Sequence, residues 1–208
     1  MDQELLRIFD VKGRPIGTAS RQEVHKKGFW HETFHCWIAE RSEDGIDLYF
    51  QLRSPLKKDY PSLYDITAAG HLLAGETAAD GIREVKEELG LSVCFHELHP
   101  LGVIPWTGGS GEIIDKELAH VYVYLAAAPI REFSLQKEEV AGVVKANLAD
   151  YEEMILGGGS RVRVTGFRED ISGKRTAFEE WAGKAAFVPH AAGYYKKLFK
   201  EIRSLSQE

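Results

Sequence analysis

The chain has 208 residues, 44% of them apolar and 28% charged, with a formal net charge of −6 at pH 7. That size and composition suit an ordinary globular protein, and the acidic balance argues against a nucleic-acid polymer as partner, because such binders present a basic face. No run approaches the ~18 consecutive apolar residues of a membrane span, and MDQELLRIFD lacks the positive-then-apolar plan of a signal peptide, so a cytoplasmic protein with no membrane partner is expected.

In chain order, ELLRIFDVKGRPIGTASR predicts two short strands about a Lys12-Gly13 turn, a hairpin able to extend a sheet or to make a homodimer contact. RQEVHKK predicts a short helix stopped by Gly28. Phe34, Cys36 and Ile38 alternate along a strand that Asp44-Gly45 turns back into 46–52. A polar, proline-containing loop follows. Residues 77–89 predict a helix, with Thr77 as N-cap, Asp80 in a capping-box position, Ile82, Val85 and Leu89 as the apolar stripe, and Gly90 as terminator. Gly81 lies inside it at a cost of roughly 1 kcal/mol relative to alanine. LSVCFHEL, HPLGVIPW and LAHVYVYLAAA predict strands, with the loop TGGSGE before the last. Beyond Pro129 the pattern gives a loop, a strand and a helix, then a strand at RVRVTGF and an amphipathic helix at GYYKKLFKEIRSL. GGGS at 157–160 is too short to mark a domain boundary. Cys36 and Cys94 both sit in apolar, strand-like runs and are expected as buried free thiols. The mixture of hairpins and helices predicts α/β or α+β layering around a mixed sheet.

The chemistry concentrates in AAGHLLAGETAADGIREVKEELGL, residues 68–91. On a helix Glu84, Glu87 and Glu88 stand at i, i+3 and i+4, so three carboxylates share a side while Ile82, Val85 and Leu89 bury another. Like charges at that spacing repel. Hard oxygen ligands so arranged suit Mg²⁺ or Mn²⁺, and Arg83 can orient a carboxylate through charge-assisted bonds.

G-H-L-L-A-G-E-T … R-E-V-K-E-E-L-G-L resembles the Nudix box, G-x5-E-x7-R-E-U-x-E-E-x-G-U with U apolar. Gly70, Glu76, Arg83, Glu84, Val85, Glu87, Glu88, Gly90 and Leu91 match in order. Six residues separate Glu76 from Arg83 where the pattern has seven. That deletion bears on the orienting role of Glu76 and leaves the mutual spacing of Glu84, Glu87 and Glu88 intact. The resemblance spans roughly residues 30 to 155. It implies one Nudix-type α/β/α sandwich around a mixed sheet over 1–208, with an N-terminal strand hairpin and a C-terminal helical extension. It further implies a metal-dependent hydrolase of a small diphosphate substrate of the nucleoside-diphosphate type, using Mg²⁺ or Mn²⁺. Glu84, Glu87 and Glu88 would be metal ligands and Arg83 their partner, with Gly70 contributing its carbonyl.

Within that family the chain looks most like the branch of isopentenyl-diphosphate isomerase. EVHKKGFWHETFHCWI, AAGHLLAGE and DKELAHVY resemble that enzyme's three-histidine, two-glutamate metal-binding segments, placing His25, His31, His71, Asp115 and Glu117 at or near the ligand positions. The isomerase has a cysteine two residues before its box histidine. Here that position is Ala69, whose methyl group transfers no proton, so the resemblance implies hydrolysis rather than isomerisation. A non-catalytic nucleotide-sensing module is the remaining alternative; such modules usually lose box carboxylates, and this chain keeps them all. Glu138 and Glu139 read most simply as a solvated turn, although some Nudix hydrolases use a further acid there. Glu112, Asp115 and Glu117 follow the glycine-rich loop, and Glu117 is the best acid outside the box. Arg53, Lys57 and Lys58 can serve phosphates; Phe50, Tyr60 and Trp106 can stack on a base, though aromatic residues at strand ends are more often core.

Overall fold

The computed structural model describes residues 4–109, 113–130 and 132–207. Its strands are β1 (Leu5–Phe9), β2 (Pro15–Ser20), β3 (Trp30–Ser42), β4 (Gly45–Arg53), β5 (Tyr64–Asp65), β6 (Ala68–His71), β7 (His99–Gly108), β8 (Asp115–Ala126), β9 (Val140–Asn147), β10 (Arg161–Glu169) and β11 (Arg175–Gly183). The helices are α1 (Arg21–Lys27), α2 (Arg83–Leu89), α3 (Leu148–Leu156) and α4 (Ala192–Leu205).

Strand β3 is the spine of the mixed sheet. Along 30–40 one edge pairs in parallel with β8, and β7 lies antiparallel beyond β8. The other edge is shared in turn by β1, β6 and β4, after which β9, β10 and β11 continue outward. The N-terminal hairpin therefore extends the sheet, one of the two roles its pattern allows.

Alternation along β3 divides the molecule into layers. Phe34, Cys36 and Ile38 bury against Val85 and Leu89 of α2. On the opposite face Trp37 and Ala39 pack with Phe50, Tyr151 of α3, and Tyr194, Leu198, Phe199 and Ile202 of α4. Phe50, set edge-on against Trp37, Tyr151 and Phe187, is core and stacks on no ligand.

Local chemistry departs from the sequence pattern at four places. The helix expected from Thr77 becomes α-helical only at Arg83, after a 3₁₀ turn over Asp80–Ile82, although Thr77 N–H does donate to Asp80 Oδ2 (2.8 Å). The expected strand at LSVCFHEL is instead a 3₁₀ turn over Phe95–Glu97, because Glu97 takes both polar groups of the Cys94 backbone: its carboxylate accepts from Cys94 N (2.8 Å) and its N–H donates to Cys94 O (2.9 Å). Cys36 is buried as expected, but Cys94 on that turn is exposed. Strand β11 is missed by apolar patterning because it is a charged, largely exposed outer strand. Gly81 has a packing reason: a Cβ there would lie 2.6 Å from the Cβ and Cγ of Phe34, so only glycine lets the entry to α2 approach β3 this closely.

Candidate active site and metal centre

Two groups of side chains flank β6. On the α2 side, Arg83 sits at the centre of the acidic face. Its Nε and Nη2 donate to the two oxygens of Glu76 (2.7 and 3.0 Å), its Nη1 donates to Glu84 Oε1 (2.5 Å) and Glu87 Oε2 (3.1 Å), and Nη2 also donates to His71 O (3.0 Å). Glu76 in turn accepts from Leu73 N–H (2.8 Å). Despite the shortened interval, Glu76 is bonded to Arg83 through both carboxylate oxygens. Those bonds to Arg83 hold the Glu76 carboxyl below its usual range, against a smaller opposing effect of burial.

The three glutamates have different surroundings. Glu87 is half exposed (52%) and meets only Arg83 among the described residues. Glu84 lies against Gly70, where a Cβ would come within 2.2 Å of its carboxyl. Glu88 is buried, its Oε2 accepting from Ala69 N–H (3.1 Å) and Gln51 Nε2 (3.3 Å). Burial pushes the Glu84 carboxyl up to about 7, with Arg83 opposing and Glu87 adding to the rise. Burial likewise pushes Glu88 well above its ordinary value, and neighbouring Glu84 adds to it. Among the described residues the three box carboxylates do not close into one ligand set; Arg83 draws Glu84 and Glu87 toward itself.

A tighter cluster lies on the opposite face of β6. Ring nitrogens of His25, His31 and His71 come within 4.8 Å of one another, as do ligand atoms of His31, Asp115 and Glu117. The topology dictates this: β3–β8 register sets His31 beside Glu117, β3–β6 register sets His71 beside Thr33, and α1 carries His25 over them. His31 Nδ1 faces the Phe29 carbonyl (3.1 Å), which can only accept, so Nδ1 carries the hydrogen and Nε2 presents a lone pair. That Nε2 is buried without a hydrogen-bond partner and lies 3.5 Å from Asp115 Oδ1, another buried acceptor without one among the described residues. His25 Nε2 and His71 Nε2 face each other at 3.3 Å. Burial pushes His31 down to about 4, and His71 well below its ordinary value, so both stay neutral. Burial raises Asp115 to about 8, helped by Glu117, and raises Glu117 to about 7 against the opposing pull of His190. The unpartnered His31 Nε2 and Asp115 Oδ1, with the ring nitrogens and carboxylate gathered around them, fit a divalent cation that displaces the remaining protons.

A family model described as NUDIX domain matches residues 30–162. The chain belongs to the Nudix family. An uncharacterised Nudix hydrolase of Clostridium acetobutylicum is 40% identical over 97% of this chain and 98% of its own length. Nudix hydrolase 3 of Arabidopsis thaliana is 32% identical over the whole chain, which spans 24% of that protein. An isopentenyl-diphosphate Delta-isomerase of Corynebacterium diphtheriae is 38% identical over 44% of this chain and 49% of its own. The fold is similar to that of DR0079 from Deinococcus radiodurans (TM-score 0.54, 19% identity, 75% of this chain and 91% of that one).

Several residues around the Nudix box escaped the sequence pattern. Glu139, read as part of a solvated turn, is largely buried, pairs with Lys57 and adds to the field that raises Glu88. Lys57 therefore stands beside the box, whereas Arg53 is committed to Asp65 and Asp59 (2.8 Å each). Asp65 faces His190 Nε2 at 3.6 Å; burial would raise its carboxyl, but His190 and Arg53 outweigh that and hold it at about 2. Trp106 is packed near His190 and donates to Pro189 O (3.3 Å), and Tyr60 donates to Gly109 O (3.1 Å). Ser110–Glu112 lie outside the described residues. Spacing alone could have flagged His35, since His31, Thr33 and His35 share one strand face; Asp65 and His190 are remote in sequence and carry no local signal.

Proposed function

We propose that the chain is a metal-dependent hydrolase that cleaves a diphosphate linkage in a small substrate of the nucleoside-diphosphate type, by attack of water on phosphorus. The observation that carries this reading is the facing pair of buried atoms His31 Nε2 and Asp115 Oδ1, 3.5 Å apart and each without a hydrogen-bond partner among the described residues. His25, His31, His71, Asp115 and Glu117 would hold one divalent ion, a nitrogen-and-carboxylate set that suits Mn²⁺. Glu84, Glu87 and Glu88, with the Gly70 carbonyl, would hold Mg²⁺ or Mn²⁺ with the diphosphate. Bound metal supplies charge neutralisation for in-line displacement and lowers the pKa of water. The chain's own part is to aim the acceptors: Arg83 and Glu76 hold Glu84, the Ala69 N–H and Gln51 hold Glu88, and Lys57 adds a cation beside them. The new bond joins water oxygen to phosphorus, the P–O bond to the leaving phosphate breaks, and a box carboxylate accepts the water proton.

Isomerase chemistry lacks its thiol. Ala69 stands opposite His35 on the face of the histidine cluster, and the two cysteines lie elsewhere: Cys36 points into the α2 core, with burial pushing its thiol up to about 12, and Cys94 is on a surface turn. The test is product release from a panel of diphosphates, including nucleotide sugars, dinucleotides and isopentenyl diphosphate, in Mg²⁺ and then Mn²⁺. Cleavage of a panel member that is lost in Glu88→Gln supports the hydrolase. Conversion of isopentenyl diphosphate to its isomer would overturn the Ala69 argument, and ligand binding without turnover of any member would favour the sensing module.

A further inference from the structure

Helix α4 lies beyond the 30–162 span that the family model matches, yet it reaches the metal cluster through one hydroxyl. Trp37 Nε1 donates to Tyr194 Oη (2.8 Å); Tyr194 Oη stands 3.2 Å from His35 Nδ1; and His35 Nε2 stands 3.2 Å from Glu117 Oε2. All three residues of the chain that ends at Glu117 are buried: Trp37 is 1% exposed, Tyr194 2% and His35 3%.

The chemistry of the ends sets the direction of every hydrogen. Indole N–H can only donate, so a lone pair of Tyr194 oxygen is taken by Trp37. The remaining hydrogen of that hydroxyl has His35 Nδ1 as its partner, so Nδ1 accepts. In a neutral ring the hydrogen then sits on Nε2, which bonds Thr33 Oγ1 at 3.3 Å and faces Glu117 Oε2 at 3.2 Å. Were His35 to donate from Nδ1 instead, the Tyr194 hydrogen would be buried with no acceptor among the described residues.

We infer that Trp37, Tyr194 and His35 are positioning residues that fix the tautomer of His35 and thereby orient the Glu117 carboxylate for metal. One Glu117 oxygen faces the His35 N–H at 3.2 Å, and the other lone pairs are left for a cation. The metal affinity of the Nudix core is thus set partly by an element outside it. This rests on the reading of Glu117 as a metal ligand. Outer partners that orient a ligand are worth roughly 10–100-fold in metal affinity.

The experiment is titration of the full chain with Mn²⁺ alone, by calorimetry and by loss of the free Mn²⁺ resonance signal, with thermal unfolding measured in parallel. Tyr194→Phe, which keeps the ring and removes the hydroxyl, is expected to weaken Mn²⁺ binding about 10-fold. His35→Leu should weaken it more. His35→Gln, whose amide nitrogen reaches where Nε2 stood, should recover most of the loss; a merely structural role would not order the two substitutions by their ability to donate. These His35 variants leave the Trp37–Tyr194 bond intact and so serve even if Tyr194→Phe does not fold. If wild type binds Mn²⁺ and folded Tyr194→Phe, His35→Leu and His35→Gln bind it equally well, the positioning role is overturned while the metal site stands. If wild type binds no Mn²⁺, the metal reading and the positioning role fall together.

Discussion

Two glycines near the box make opposite predictions for the same change, glycine to alanine. At Gly70 the new Cβ lands 2.2 Å from Cδ and Oε1 of Glu84 and 2.6 Å from Oε2, where ordinary contact begins at 3.4 Å. The obstruction is the far end of a flexible side chain, so Glu84 can retreat by roughly 1 Å and the backbone need not move. The cost to the fold should stay within about 0.5 kcal/mol, as for substitutions that touch no packed core. The cost to function should be large, since the displaced group is a proposed metal ligand. A misplacement of ~1 Å is worth about 10²-fold in rate, or ~2.7 kcal/mol in kcat/KM. At Gly81 the Cβ meets Phe34 at Cβ and Cγ, close to the backbone of β3, with no free end to swing away. The gain of about 1 kcal/mol in helix propensity is set against about 1–3 kcal/mol of overpacking. A net loss of stability of up to ~2 kcal/mol should result. Urea unfolding, Mn²⁺ titration and hydrolysis of whichever panel substrate is cleaved measure both variants. Gly70→Ala with wild-type metal affinity and wild-type turnover would refute the placement of Glu84 at the reacting centre. Gly81→Ala more stable than wild type would refute the close approach of α2 to β3.

Metal binding should release protons. Glu84 and Glu117, held near 7, and Asp115, held near 8, are raised by burial and must lose their protons to a cation. Mn²⁺ affinity should therefore climb from pH 6 to pH 8. Calorimetry at pH 7 in two buffers of different ionisation enthalpy should show net proton release, and a buffer-independent enthalpy would contradict it. Asp65 carries the opposite linkage. Its folded pKa of about 2 lies below the ordinary 3.8, so its contribution, on the order of 2 kcal/mol, is present above pH 4 and is lost as pH falls toward 2. Denaturant titrations between pH 5 and 2 should show that loss, and Asp65→Asn should flatten it. Thiol titration of native protein should give fast reaction at exposed Cys94, with buried Cys36 reacting only on unfolding; two fast thiols would contradict the placement of β3.

The box was legible because its chemistry is local. The i, i+3, i+4 spacing of Glu84, Glu87 and Glu88, the glycine stop at Gly90, and the Asp44-Gly45 hairpin each depend on a few neighbouring residues, and backbone geometry does the rest. His25, His31, His71, Asp115 and Glu117 were reached through resemblance, yet nothing in their spacing shows that they meet. Parallel register between β3 and β8, strands some eighty residues apart, brings His31 beside Glu117, and that register is settled by burial of whole sheet faces. Tertiary packing alone also decided how the box carboxylates differ. Composition writes three equivalent glutamates, but depth beneath the surface leaves Glu87 half in water, sets Glu84 against Gly70, and buries Glu88 on the Ala69 N–H. The same holds for Tyr194, whose hydroxyl gains meaning only when α4 closes over Trp37 and His35. Sequence determines which groups are available and how each segment bends; desolvation and long-range contact, which no short window contains, decide which of those groups face one another without water.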